Sequence, residues 1–153
     1  MSFLHQLADN YVLMAAILAW VAAQALKTII DFTLNKQLNP ERLVGAGGMP
    51  SSHSALVCAF MVATARECGI SSYNFALAFI LAVVVMYDAM GVRRAAGEQA
   101  KVINLIVNNL VDKTTDEEEP MNLPEKKLKE YLGHTPTQVL AGAILGGIIA
   151  FVM

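Results

Sequence analysis

Cysteine, tryptophan and charge are all scarce in this chain. Cys58 and Cys68 are the two cysteines in 153 residues. With no further cysteine near them, neither a disulfide framework nor a thiolate zinc site is expected, and each reads as a small buried apolar residue. Charged residues make up 16% of the chain, against about 25% in soluble domains. The net charge of −2 carries no basic excess and points away from nucleic acid. Residues 1–10 hold no Lys or Arg, so the basic start of a cleaved signal peptide is missing and the first apolar run is expected to remain as an anchor. No internal repeat is strong enough to organise the fold.

What the chain has instead is apolar surplus, 56% of residues, gathered into long runs. Residues 11–30 are broken only by Gln24, Lys27 and Thr28, and about 20 such residues cross a bilayer as a helix. A polar stretch ending in Gly45-Ala46-Gly47-Gly48-Met49-Pro50 follows. Ser51 or Ser52 then caps a second helix expected to end near Ala65. Residues 73–87 form a third apolar run with Asp88 directly after it. From Gly91 to Asp112, Ile103, Ile106, Val107 and Leu110 recur at helical spacing opposite Arg94, Glu98, Lys101, Asn108 and Asp112, the pattern of an amphipathic surface helix. An acidic run, Asp116 to Glu119, reads as a solvated loop, with Lys126, Lys127 and Lys129 on a short helix beyond it. Val139 to Met153 is the last apolar run, and Gly142, Gly146 and Gly147 within it suit close helix packing.

The expected fold is therefore all-α: one domain over residues 1–153, an integral membrane bundle of about four inserted helices plus an amphipathic helix. Four crossings, roughly 11–30, 51–66, 73–90 and 136–153, place both termini on one side. Ten of the eleven basic residues then fall on the other side, with Arg66 the exception, and the positive-inside rule assigns that side to the cytosol. A bacterial cell membrane is the expected location, and a homo-oligomer is compatible with the pattern.

The same count brings three polar segments to the cytosolic face: the end of the first helix with Lys27, the Pro50-Ser51-Ser52-His53 entry, and the Gly133-His134-Thr135-Pro136 entry. Asp88 through Arg94 leave the third helix there too. Two helix N-termini offer N–H groups and positive dipole ends to an anion. Lys27, Arg93 and Arg94 can add charge-assisted hydrogen bonds to phosphate. Two histidines allow a nucleophile and a general acid. No carboxylate cluster calls for a metal, and no cofactor is expected. The plainer alternatives are a snorkelling Lys27, an Arg94–Glu98 pair, an Asp88–Arg93 structural pair, and a capping box over Thr135-Pro136-Thr137-Gln138.

The stretches GGMPSSHSA, DAMGVRRAAGEQAKVIN and LGHTPTQVLAGAILG together resemble the divergent branch of the type 2 phosphatidic acid phosphatase superfamily, which also includes vanadium-dependent haloperoxidases. The resemblance spans about residues 24–150. It implies that His134 is a nucleophile forming a phosphohistidine, that His53 protonates the leaving group, and that Lys27 matches the family's lysine arm. Four positions depart from the pattern: Ser52 stands for a glycine, Leu34 and Leu128 for members of the arginine set, and Gln138 for the aspartate that orients the nucleophile. Asp88 or Glu98 is a candidate to replace that aspartate in space. The expected activity is a metal-independent phosphatase acting on lipid phosphates or isoprenyl diphosphates, with a phosphorylated membrane lipid as its partner. Ser51 and Ser52 are expected to help hold the phosphate. The alternative is a non-catalytic membrane protein that binds phosphate headgroups or other proteins.

Overall fold

Local chemistry sets where each apolar run becomes helical and where it stops. A computed structural model describes residues 3–36, 48–114, 128 and 133–153. Among these residues are six helices: α1 (Phe3–Ala8), α2 (Tyr11–Asn35), α3 (Ser52–Cys68), α4 (Tyr73–Met90), α5 (Val92–Thr114) and α6 (Pro136–Val152). The Asn10 side chain caps α2 by accepting from the Leu13 N–H at 3.0 Å. Ser51, Ser72 and Thr135 cap α3, α4 and α6 in the same way. Such oxygens satisfy N–H groups that would otherwise be orphaned at a helix start.

One helix of the bundle's centre runs further than the sequence pattern implied. The second was expected to end near Ala65 but continues to Cys68, because Gly69, at φ 81, is the first residue suited to leave it. The third crossing, expected over 73–90, is α4, and Asp88 lies in its last turn. The short helix α1 had no clear signal. The Gly45–Gly47 stretch, Arg42, the acidic run and Lys126, Lys127 and Lys129 lie outside the described residues.

α3 is the central helix; α2, α4 and α6 each pack against it, while α2 and α4 do not pack against each other. The seam is built from small residues at four-residue steps. α2 contributes Ala15, Ala19 and Ala23; α3 contributes Ala55, Ala59 and Ala63; and α6 contributes Gly142, Gly146 and Ala150, all buried. Burying apolar side chains drives little association in lipid, so helices join by close backbone approach, and small residues permit it. A Cβ on Gly142 would overlap the Ser51 carbonyl oxygen, and one on Gly146 that of Ala55. Gly147 differs: a Cβ there meets nothing within 4 Å, so it has no part in the close packing.

The outward faces are apolar, including Leu77, Val84, Leu140, Ile144 and Ile148, as lipid contact requires. The 24 residues Tyr11–Leu34 are long enough to span, and an 18-residue window within them has a mean hydropathy of 1.8. The protein is a membrane-type helical bundle. α5 packs by a face the sequence pattern did not single out, Gly97, Ala100 and Asn104, while Ile103 and Ile106 point outward. Cys58 is buried as expected, but Cys68 is exposed in the last turn of α3, and both thiols are free.

The two ends of the bundle differ. Where α2 begins and α3 and α6 end, Arg66 donates to the Tyr11 hydroxyl at 2.6 Å and to the Phe151 carbonyl at 3.0 Å. It also reaches the Ala150 carbonyl, which Tyr11 shares. Its guanidinium stacks 5.3 Å from the centre of the Tyr11 ring. A cation at a helix C-terminus complements the dipole. Arg66 is thus committed to holding the end of α6.

Candidate functional site

At the opposite end the three small-residue ladders continue, at the next four-residue step, into Lys27 on α2, Ser51 before α3 and Gln138 on α6. The packing faces therefore deliver polar groups to one point. Lys27 is 2% exposed and donates to the Ser52 hydroxyl at 3.5 Å. A fully buried lysine between two helices is not a snorkelling anchor. Ser51 and Ser52 are buried with it. The Ser54 hydroxyl donates to the Ser51 hydroxyl at 3.0 Å, and the Ser51 N–H donates to the Gln138 carbonyl at 3.0 Å. That backbone bond ties the start of α3 to the first turn of α6. Gly142 allows it by leaving room for the Ser51 carbonyl.

His134 precedes α6, 3% exposed. Its N–H donates to the Ala89 carbonyl at 3.0 Å, so the end of α4 holds the loop in place. Its Nδ1 lies 3.1 Å from Gln138 Oε1. The Thr135 N–H also donates to Oε1, at 3.1 Å. An N–H can only donate, so the amide atom facing it is the oxygen, and Nδ1 facing the same oxygen must carry a proton. The neutral ring therefore keeps its lone pair on Nε2. Gln138 completes a capping box with Thr135 and orients His134 at once.

His53, in the first turn of α3, places its ring centre 6.5 Å from that of His134, the planes tilted by 56°. Asp88 is half-buried on α4, one residue before the carbonyl that receives His134. Arg94 is exposed and pairs with Glu98 at 3.2 Å one turn along α5, which commits Glu98 elsewhere than at His134. Arg93 lies in the first turn of α5, with its side chain outside the described residues. Among the described residues, no three His, Cys, Asp or Glu side chains group as metal ligands.

The arrangement gathers Lys27, Ser51, Ser52, His53, His134 and Gln138 where two helices begin. A family model described as Divergent PAP2 family matches residues 8–149. The chain belongs to the Divergent PAP2 family. It is also 41% identical over 152 residues to the uncharacterized membrane protein YuiD of Bacillus subtilis (strain 168), covering 97% of this chain and 96% of that protein. No solved structure matches it.

One residue that sequence reasoning missed is Asn104. Its side-chain amide donates to the Leu128 carbonyl at 2.8 Å and accepts from the Leu128 N–H at 2.9 Å. This Divergent PAP2 protein so clasps to α5 the backbone six residues before His134, where the family resemblance leads one to expect an arginine. A buried polar side chain at a packing step, 97-100-104, was the available signal.

Proposed function

We propose that the chain is a membrane-embedded phosphatase of lipid phosphates that works through a phosphohistidine at His134. The observation that carries this reading is the buried His134, with Nδ1 held by Gln138, facing His53 beside a buried Lys27. His134 Nε2 attacks phosphorus, the bond from phosphorus to the lipid oxygen breaks, and His53 gives its proton to that oxygen. Water then attacks the phosphohistidine, His53 takes the proton from the water, and phosphate leaves with Nε2 restored. The positive ends of α3 and α6, the Lys27 ammonium and the two serines stabilise the charge on the phosphoryl oxygens. Arg93 and Arg94, at the start of α5, are further candidates for the phosphate.

The excess of basic residues on the histidine side orients the site to the cytosol. Phosphate release from a panel of lipid phosphates by purified protein tests the reading, with His134→Ala and His53→Ala expected to abolish turnover. Gln138 supports a second reading: its cap role needs no catalysis, and its neutral dipole lacks the charge of a carboxylate. On that reading the site binds phosphate headgroups without turning them over, and headgroup binding with no phosphate release would establish it.

A further inference from the structure

A groove of about 990 Å³ lies between α2 and α4, with α3 as its floor. The mechanism above does not use it. Leu13 and Ile17 wall it on one side, Leu77 and Leu81 on the other, and Leu56 and Phe60 form the floor. It exists because α2 and α4 both pack on α3 but not on each other, so its long side opens to the bilayer.

Each wall, followed along its helix, leads into the histidine site. On α3, Glu67, Thr64, Phe60, Leu56 and His53 succeed one another at three- and four-residue steps. On α2, Leu13, Ile17, Trp20, Gln24 and Lys27 do the same. On α4, Leu77 and Leu81 share a stripe with Asp88. Residues at such steps lie on one helix face. The groove is thus the membrane-ward continuation of the site.

Its far end is polar and acidic, rimmed by Gln6, Asp9, Glu67 and Asn74. An anionic head is repelled there and attracted at Lys27, which fixes the direction of an amphiphile in the groove. From His53 to Thr64 the floor rises through eleven residues, about 16 Å. That is close to one leaflet of a hydrocarbon core about 30 Å thick.

We propose that this groove seats the hydrocarbon chain of the phosphorylated lipid, so that the head reaches His53 and His134 laterally from within the membrane. The inference rests on the lipid-phosphatase reading and adds the path and direction of the chain. Because a lipid chain leaves one apolar medium for another, the groove gains little hydrophobic energy and acts chiefly by positioning.

The test uses full-length protein in lipid nanodiscs with dodecyl phosphate bearing a diazirine at the chain end. Illumination should label the segments around Phe60–Glu67 and Asn74–Leu81, and excess unlabelled dodecyl phosphate should suppress the label while dodecanol should not. Leu13→Trp and Leu81→Trp, at wall positions open to lipid where a larger ring does not compress the core, should each cut that labelling several-fold. They should raise KM for dodecyl phosphate and leave vanadate inhibition unchanged, since vanadate carries no chain. Label spread evenly over outward residues such as Leu140, Ile144 and Ile148 would overturn the proposal. So would Leu77→Cys, in a Cys68→Ser background, cross-linking two copies through the groove. Specific labelling without phosphate release would keep the chain seat and remove the phosphatase; release with label elsewhere would do the reverse.

Discussion

The two ends of this bundle use polar residues in opposite ways. At the Arg66 end, α3 and α6 terminate, and the cation is consumed by carbonyls of Ala150 and Phe151 and by Tyr11. At the histidine end, α3 and α6 begin, and Lys27 is buried where the helix dipoles are already positive. A cation beside carbonyl ends is locally satisfied; a cation beside N-termini gathers positive potential that an anion can relieve. One end therefore fastens the fold, and the other is where the proposed function places an anion.

Substitutions that break this contrast rank by size. Gly142→Leu should have the largest effect. Its side chain would drive into the Ser51 backbone, separate α3 from α6 and abolish turnover, with overpacking costing about 1–3 kcal/mol. Gly147→Leu, in open space, should leave both thermal unfolding and activity close to the parent.

Lys27→Met comes next. Removing the buried charge leaves the groups it bonds unmatched, so the unfolding midpoint should fall as well. Losing a charged hydrogen bond worth roughly 1.5–3 kcal/mol should lower kcat/KM about ten- to hundredfold. Steady-state phosphate release beside a melting curve separates the two effects.

Arg66→Met should cost stability and spare turnover. It removes charged hydrogen bonds to the end of α6 and should cost stability on the order of 1.5–3 kcal/mol, read as a lower unfolding midpoint in detergent. Turnover per folded molecule should persist, because Arg66 lies at the far end of the bundle from His134. A selective loss of turnover would dissolve the division between the two ends.

The smallest effect concerns Gln138→Glu. Glutamate keeps an acceptor for the Thr135 N–H and His134 Nδ1 and adds the charge that an attacking imidazole needs. Turnover should rise by up to about tenfold. An unchanged rate together with a large loss in Asp88→Asn would assign the charge to Asp88 instead.

Much of this was legible in sequence because it depends on local chemistry. Apolar runs, serine caps and the Thr135–Gln138 capping box are encoded within a few residues, and the crossing count alone brings Lys27, His53 and His134 to one face. The small-residue ladders were readable but hidden, since alanine at positions 15, 19, 23, 55, 59 and 63 is also what any good helix contains. The Asn104 clasp on Leu128 joins residues 24 apart in the chain, so no local pattern announces it. The apolar stripe of α5 was legible, with Ile103 and Ile106 on an outward face, but its packing face of Gly97, Ala100 and Asn104 was not, because small residues there give no apolar signal.

The central claim is that His134 bonds to phosphorus. Rapid acid-free quenching of the protein during turnover of a lipid phosphate, followed by peptide mass spectrometry, tests it most directly. The account predicts one phosphoryl group on the peptide containing His134, accumulating further in His53→Ala with a phosphate ester whose leaving group needs no proton, and absent in His134→Ala. Turnover with no phosphoryl group on His134, or full activity in His134→Ala, would contradict it.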